Sequence, residues 1–145
     1  MRSLTLLMLC LLTIGCEPIV MIPGGALSGE VQRTPESWAF TDAVKVVQLE
    51  TRPVDPYSVN IWVTAMEEAL YIAAGGGEET EWVHHLREDP FVRLRVGEAI
   101  YELRVARADD AATRAAFLEA AKKKYNFDPE DEGASKAILY RLDRR

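Results

Sequence analysis

Cysteine and histidine are almost absent from this chain of 145 residues. Its two cysteines, Cys10 and Cys16, both fall in the first sixteen residues, so no disulfide framework staples the body. Its two histidines, His84 and His85, stand side by side, and nothing in the sequence has the spacing of a metal-ligand set. Positive charge is short as well: 17 Lys and Arg face 23 Asp and Glu, for a net charge of −6. That balance argues against wrapping nucleic acid, which needs a basic footprint. No apolar run reaches the ~20 residues of a spanning helix. The length suits one domain with one core.

What is present begins with an exported character. Arg2 precedes a short apolar run over residues 4–12, the form of a secretory signal. The end of that run, Leu12-Thr13-Ile14-Gly15-Cys16, resembles a bacterial lipobox. This likeness implies cleavage before Cys16 and a diacylglycerol on its thiol, with Cys10 discarded. Residues 1–15 are then the signal, 16–24 a tether with two prolines and one glycine, and 25–145 the folded domain. The expected location is a bacterial cell envelope, with the membrane reached through the lipid on Cys16. Glu17 stands where Asp would retain the protein at the inner membrane, so the outer membrane is expected if the cell is Gram-negative.

The body reads as strands joined by turns. Residues 26–32 form a weak strand whose Gly29 marks a bulge or a close backbone approach. Trp38 and Phe40 are expected to lie as a lid over one end of the core. Residues 43–51 are rich in Val and precede Arg52-Pro53-Val54-Asp55-Pro56, which cannot continue a central strand. Residues 58–64 alternate, with Val59, Ile61 and Val63 on one face and Asn60, Trp62 and Thr64 on the other. Residues 69–74 return as their partner. A helix over 79–88 puts Trp82, His85 and Leu86 on one face. A hairpin follows over 91–96 and 99–107, with Gly97 at the first position of a type II′ turn. Its register pairs Leu94 with Tyr101, Val92 with Leu103, and Arg93 with Glu102. Asp109 or Asp110 caps a helix over 111–125 with Ala116, Phe117 and Ala120 near one face. Asn126 begins an acidic loop, and residues 135–142 form a last strand. About seven strands and two short helices favour an antiparallel barrel over a wound parallel sheet.

Four groups of residues could carry chemistry. Gly75, Gly76 and Gly77 precede a helix and could cradle a phosphate, but Glu78, Glu79 and Glu81 crowd that turn with negative charge. The two histidines lack a nucleophile partner, and one must point outward while the other packs. Arg93, Arg95, Arg104 and Arg107 form a basic strip, in which Arg95 could meet an anion. Asn60 and Trp62 oppose the Val59 face, and Trp62 in a cleft could stack on a planar ring.

The segment from Gly75 to Gly97 carries a family likeness. Its Gly run, Trp82, Leu86, Pro90, Val92 and Gly97 resemble the glycine turn, helix and hairpin of the deazaflavin-dependent nitroreductases. Those belong to the split β-barrel group with the pyridoxamine-phosphate oxidases. Leu49-Glu50-Thr51-Arg52 and Val59-Asn60-Ile61-Trp62 resemble the paired strands before that unit. The resemblance implies a mainly β, antiparallel split β-barrel of the FMN-binding-like kind, often a homodimer. It implies a site for FMN or a deazaflavin, used to reduce a small organic substrate. Asn60 and Trp62 would line the cleft. Gly75, Gly76, Gly77, Trp82 and His85 would form its rim, and Arg52 would contact the anionic end. Where the family has a Gly-Arg-Lys-Ser-Gly type loop, this chain has residues 52–56, so only Arg52 remains. A non-catalytic envelope lipoprotein using the barrel for ligand or partner binding is the alternative expectation.

Overall fold

The computed structural model describes residues 22–128, 130 and 132–145. The signal segment, Cys10 and Cys16 lie outside the described residues. Eight strands follow in chain order: β1 (Glu30–Gln32), β2 (Val46–Thr51), β3 (Tyr57–Trp62), β4 (Thr64–Met66), β5 (Ala69–Ala74), β6 (Phe91–Val96), β7 (Ala99–Arg107) and β8 (Ile138–Arg144). Three helices accompany them: α1 (Glu81–Glu88), α2 (Ala111–Tyr125) and α3 (Glu132–Lys136). Short 3-10 turns occupy Ala39–Ala43 and Gly77–Glu79.

The strands run β3-β2-β6-β7-β8-β5-β4 across one sheet, and each neighbouring pair is antiparallel. β1 adds to β7 in parallel. The two ends of this path, β3 and β4, are consecutive in the chain. The sheet therefore curls back on itself through the covalent link at Val63, with no ladder joining β3 to β5. That gap is the split of a split barrel.

Val63 explains the break. Its N–H bonds to the Tyr125 hydroxyl at 3.0 Å, and its carbonyl accepts from the same hydroxyl at 2.6 Å and from Lys124 Nζ at 2.6 Å. Both ladder groups of Val63 are thus taken by the end of α2, and the expected single strand over 58–64 divides. β3 pairs with β2, and β4, not β3, is the partner of β5.

The hairpin of β6 and β7 has the expected register: Val96 faces Ala99, Leu94 faces Tyr101 and Val92 faces Leu103. Gly97 sits at φ +61°, where a side chain would be strained. Leu49, Leu94, Leu103, Ile72, Leu70 and Leu142 are sealed inside the curl. The opposite face of β7 is covered too. Ile100 is 0% exposed, because Gly29 brings the incoming chain against it. A Cβ on Gly29 would lie 2.7 Å from the Glu98 carbonyl oxygen and 2.9 Å from Ile100 Cγ1.

Other boundaries shift for local reasons. The strand expected over 26–32 keeps only Glu30–Gln32, since the Leu27 N–H bonds at 2.5 Å to the Glu50 carboxylate. The strand expected from residue 43 starts at Val46, after the Ala39–Ala43 turn. Trp38 is core, not lid: it is buried and meets Tyr101 edge-on at 5.0 Å, while Phe40 is half exposed. Asp110 caps α2, accepting from the Thr113 N–H at 3.0 Å. Ala116 is exposed, so the packed face of α2 runs instead through Phe117, Ala121 and Tyr125. The segment expected to be strand from 135 finishes α3 first, and β8 begins at Ile138.

Candidate functional site

Spacing of four along α2 stacks Phe117, Ala121 and Tyr125 on one side of the helix. That side faces the split between β3 and β5 and roofs a cavity of about 700 Å³. Across from it stand Asn60, Ile61 and Trp62 of β3 and Ala73 and Ala74 of β5. Gly75, Gly76, Thr80 and Trp82 close one end, and Leu139 closes the floor from β8. The volume falls within the ~300–1,000 Å³ of small-molecule sites, and the wall is chiefly apolar, as such sites are.

Trp62 and Tyr125 form one aromatic wall. Their rings are parallel within 5° and their centroids lie 4.5 Å apart. Tyr125 is fixed by the Val63 bonds and by the Lys45 carbonyl 3.0 Å from its hydroxyl. Burial raises its pKa above the ordinary phenol value, so it stays protonated and able to donate. Lys124 beside it bonds the carbonyls of Thr41 at 2.8 Å and Val63 at 2.6 Å. Desolvation lowers its pKa, and the Asp42 charge opposes that shift.

The glycine run divides. Gly75 and Gly76 line the cavity, and a Cβ on Gly75 would meet nothing within 4 Å. A Cβ on Gly76 would lie 2.9 Å from the Thr80 hydroxyl. Gly77 is buried at φ +59°, starts the 3-10 turn before α1, and is not among the lining residues. Trp82 reaches the cavity wall while packing edge-on against Tyr140 at 5.8 Å.

His85 and Arg52 also lie outside the lining set. His85 is buried and His84 exposed. His85 Nδ1 stands 2.9 Å from Thr51 Oγ1, and its ring meets Tyr57 edge-on at 5.0 Å. Its Nε2 is 3.3 Å from the Glu81 carboxylate but not aligned for a hydrogen bond. Arg52 sits at φ 52°, bridges Asp55 at 3.4 Å and covers the Tyr57 ring. These side chains tie α1 to the end of β2.

Three of the strip's four arginines, Arg93, Arg95 and Arg107, are held by the protein's own groups. Arg93 has a register partner on each side, Glu50 on β2 and Glu102 on β7, and it bridges the buried Glu50, at 3.0 Å, because a sealed carboxylate needs a cation more than an exposed one does. It also bonds the Leu27 carbonyl at 3.3 Å, and Glu102 meets Arg145 at 3.7 Å instead. Arg95 bonds the Gly97 carbonyl at 2.9 Å. Arg107 bridges Glu78 at 2.9 Å and Asp109 at 3.2 Å. Among the described residues no group of three acids, cysteines or histidines could hold a metal ion, and no helix is long and apolar enough to cross a membrane.

Sequence reasoning missed Thr80, Arg114 and Tyr125 as cavity residues. Phe117, Ala121 and Tyr125 at intervals of four were the available signal for the helix side.

No family model matches the chain, and no curated protein matches it. Solved structures do. A conserved hypothetical protein of Mycobacterium tuberculosis superposes with a TM-score of 0.61 at 15% identity, over 81% of this chain and 86% of that one. A pyridoxamine 5'-phosphate oxidase candidate from Listeria innocua gives 0.57 at 16% identity, over 72% of this chain and 86% of its own. An F420-H2 dependent reductase gives 0.56 at 14% identity, over 69% of this chain and 95% of its own. This chain has the split β-barrel fold. At these identities the likeness is one of fold alone.

Proposed function

We propose that the split barrel binds a flat heteroaromatic ring of the flavin or deazaflavin kind in the cavity between β3, β5 and α2. The observation that carries this reading is the Trp62–Tyr125 wall beside the bare backbone of Gly75. A rigid aromatic face and an edge without side chains suit a planar ring. F420-H2, named in one structural relative, is a reduced deazaflavin, which adds fold-level support. Such a ring, when bound, carries hydride between a donor and a small organic acceptor. The chain's own part is to hold the ring: Trp62 along its face, Trp82 at its end, and α2 as the roof that excludes water. Asn60 is the polar lining residue on β3. Gly77, His85 and Arg52 keep the frame of α1 and β2 rather than the wall.

The reading extends to the whole chain. Cys16 carries a diacylglycerol that anchors the domain in a bacterial envelope, at the outer membrane in a Gram-negative cell. The protein pairs as a homodimer, in keeping with one structural relative described as a domain-swapped dimer. Exposed Val46 and Trp62, partners across β2 and β3, offer the apolar surface for that contact.

The test is a titration with FMN and with a deazaflavin, followed by ligand absorbance and tryptophan fluorescence. Binding at micromolar ligand is expected, and no spectral change with either would sink the reading. Lipid labelling must also vanish in Cys16→Ser, and light scattering must give twice the chain mass. The second reading, ligand binding without catalysis, is favoured by the position of Arg52 outside the cavity wall.

A further inference from the structure

The N-terminal segment enters the fold beside the most exposed large apolar side chain among the described residues. We infer that the turn between β2 and β3 rests on a lipid surface, with Val54 as the inserted residue. This inference rests on the anchor reading of Cys16 and gives the anchored domain an orientation.

The turn is built to present its tip. The Asp55 N–H bonds the Arg52 carbonyl at 3.0 Å, which closes residues 52–55 into a turn with Pro53 and Val54 at its centre. The proline ring fixes φ at Pro53 and stiffens the tip. Turn centres favour Gly, Asn, Asp and Ser, which accept tight angles or bond the backbone; a β-branched valine offers neither. Val54 is nonetheless 99% exposed. Arg52 and Asp55 bridge each other at 3.4 Å, so the tip carries no net charge on an acidic chain.

The path from the anchor leads to the same place. Gly24 exchanges two backbone bonds with Ser58, at 2.8 and 2.9 Å. A Cβ on Gly25 would lie 3.9 Å from the Pro56 carbonyl oxygen. Ile22, two residues before that clamp, is 67% exposed. Between Cys16 and Gly24 the chain reaches at most about 29 Å. A lipid on Cys16 therefore keeps this turn near the bilayer. Val46 and Trp62, the homodimer contact, lie at the other end of the same two strands, roughly 17 Å away, so the two surfaces do not compete.

One valine alone holds a bilayer weakly. The tether makes its contact intramolecular, and the high effective concentration lets it persist. Acid beside the turn selects the lipid. The side chains of Asp55 and of Glu81, near Tyr57, stay largely exposed, and anionic headgroups repel them. The surface that fits is zwitterionic.

The experiment reconstitutes the lipidated chain in phosphatidylcholine vesicles with an NBD label on Val54→Cys; acylated Cys16 leaves no second free thiol. A control label sits on Lys123→Cys, an exposed position of α2. Vesicle flotation reports the anchor, and quenching by spin-labelled lipid reports the docked turn. The chain should float, with the label at position 54 quenched and the label at 123 not. With the label on Ile22→Cys instead, Val54→Leu should keep the quenching, and Val54→Asp should lower the docked fraction by roughly tenfold. Replacing half of the lipid by phosphatidylglycerol should weaken docking. A floating chain with both labels in water overturns the docking and leaves the anchor intact. No flotation and no quenching overturn both. A label at 54 shielded without vesicles places a second copy on the turn and overturns the lipid assignment. Quenching that rises with phosphatidylglycerol overturns the zwitterionic surface, and an unchanged signal in Val54→Asp removes Val54 as the inserted residue.

Discussion

Trp62 and Tyr125 lie face to face, 5° from parallel, although 62 positions separate Val63 from Tyr125 in the hydrogen bond that sets the contact. The stack ties the edge strand β3 to the end of α2 and makes the wall of the cavity. Trp62→Ala removes that wall while leaving the Tyr125 hydroxyl bonded to Val63. Its expected effect is a fall in ring affinity of roughly three- to tenfold, from the ~0.5–1.5 kcal/mol of an aromatic pair. Ligand titration checks it, with circular dichroism showing the fold retained. Tyr125→Phe has the complementary result: the Val63 N–H loses its partner, and unfolding free energy drops by about 1–3 kcal/mol in urea titration.

His85 bridges α1 to Thr51 without lining the cavity. His85→Gln keeps a polar side chain but loses the ring contact with Tyr57. A loss of about 1–2 kcal/mol in stability is expected, with ring affinity changed less than about twofold. A large fall in affinity at unchanged stability would place His85 on the ligand after all.

Glu50 is 2% exposed and holds both Arg93 and the Leu27 N–H. Glu50→Gln leaves Arg93 facing a neutral group, at a cost of about 2–3 kcal/mol, below the range for a fully buried pair because Arg93 keeps some solvent. Glu50→Leu combined with Arg93→Met should recover much of that loss. Chemical unfolding of the native chain, Glu50→Gln and the double variant decides it.

Glu78 joins Arg87 and Arg107 on the surface, and hydrogen bonds from Arg107 and then Arg87 lower its pKa below the ordinary 4.5. A carboxylate with a depressed folded pKa stabilises the fold fully above its unfolded value. That contribution disappears as pH falls through the folded pKa. Melting temperature should therefore fall with acid more steeply in the native chain than in Glu78→Gln below about pH 4.5. Equal slopes in thermal scans across that range would show that the cluster contributes nothing.

The local pieces were legible because their signals are local. Alternation from Phe91 to Arg107 around Gly97 admits one register, and a slip by one residue would expose the Leu94 and Leu103 face. The two histidines of α1 divide as expected, His85 buried and His84 exposed. The glycine run followed by Glu78, Glu79 and Glu81 argued against an anion cradle, and the structure spends Gly77 on a turn.

Long-range demands explain the rest. Val63 continues the alternation of β3 and reads as strand; only Tyr125 and Lys124, arriving from α2, take its backbone groups and split the barrel there. Arg93 faces Glu102 across the hairpin, but the β2–β6 pairing also sets it opposite Glu50, and Glu50 claims it because burial makes an unpaired carboxylate far more costly than an exposed one. By itself, then, the sequence determined which residues alternate, where turns fall and which faces are apolar, since those follow from short-range periodicity and backbone freedom. The tertiary structure alone decided that α2 roofs the split, that Trp62 walls the space beneath it and that Arg52 does not, because each depends on which distant groups meet once water is excluded.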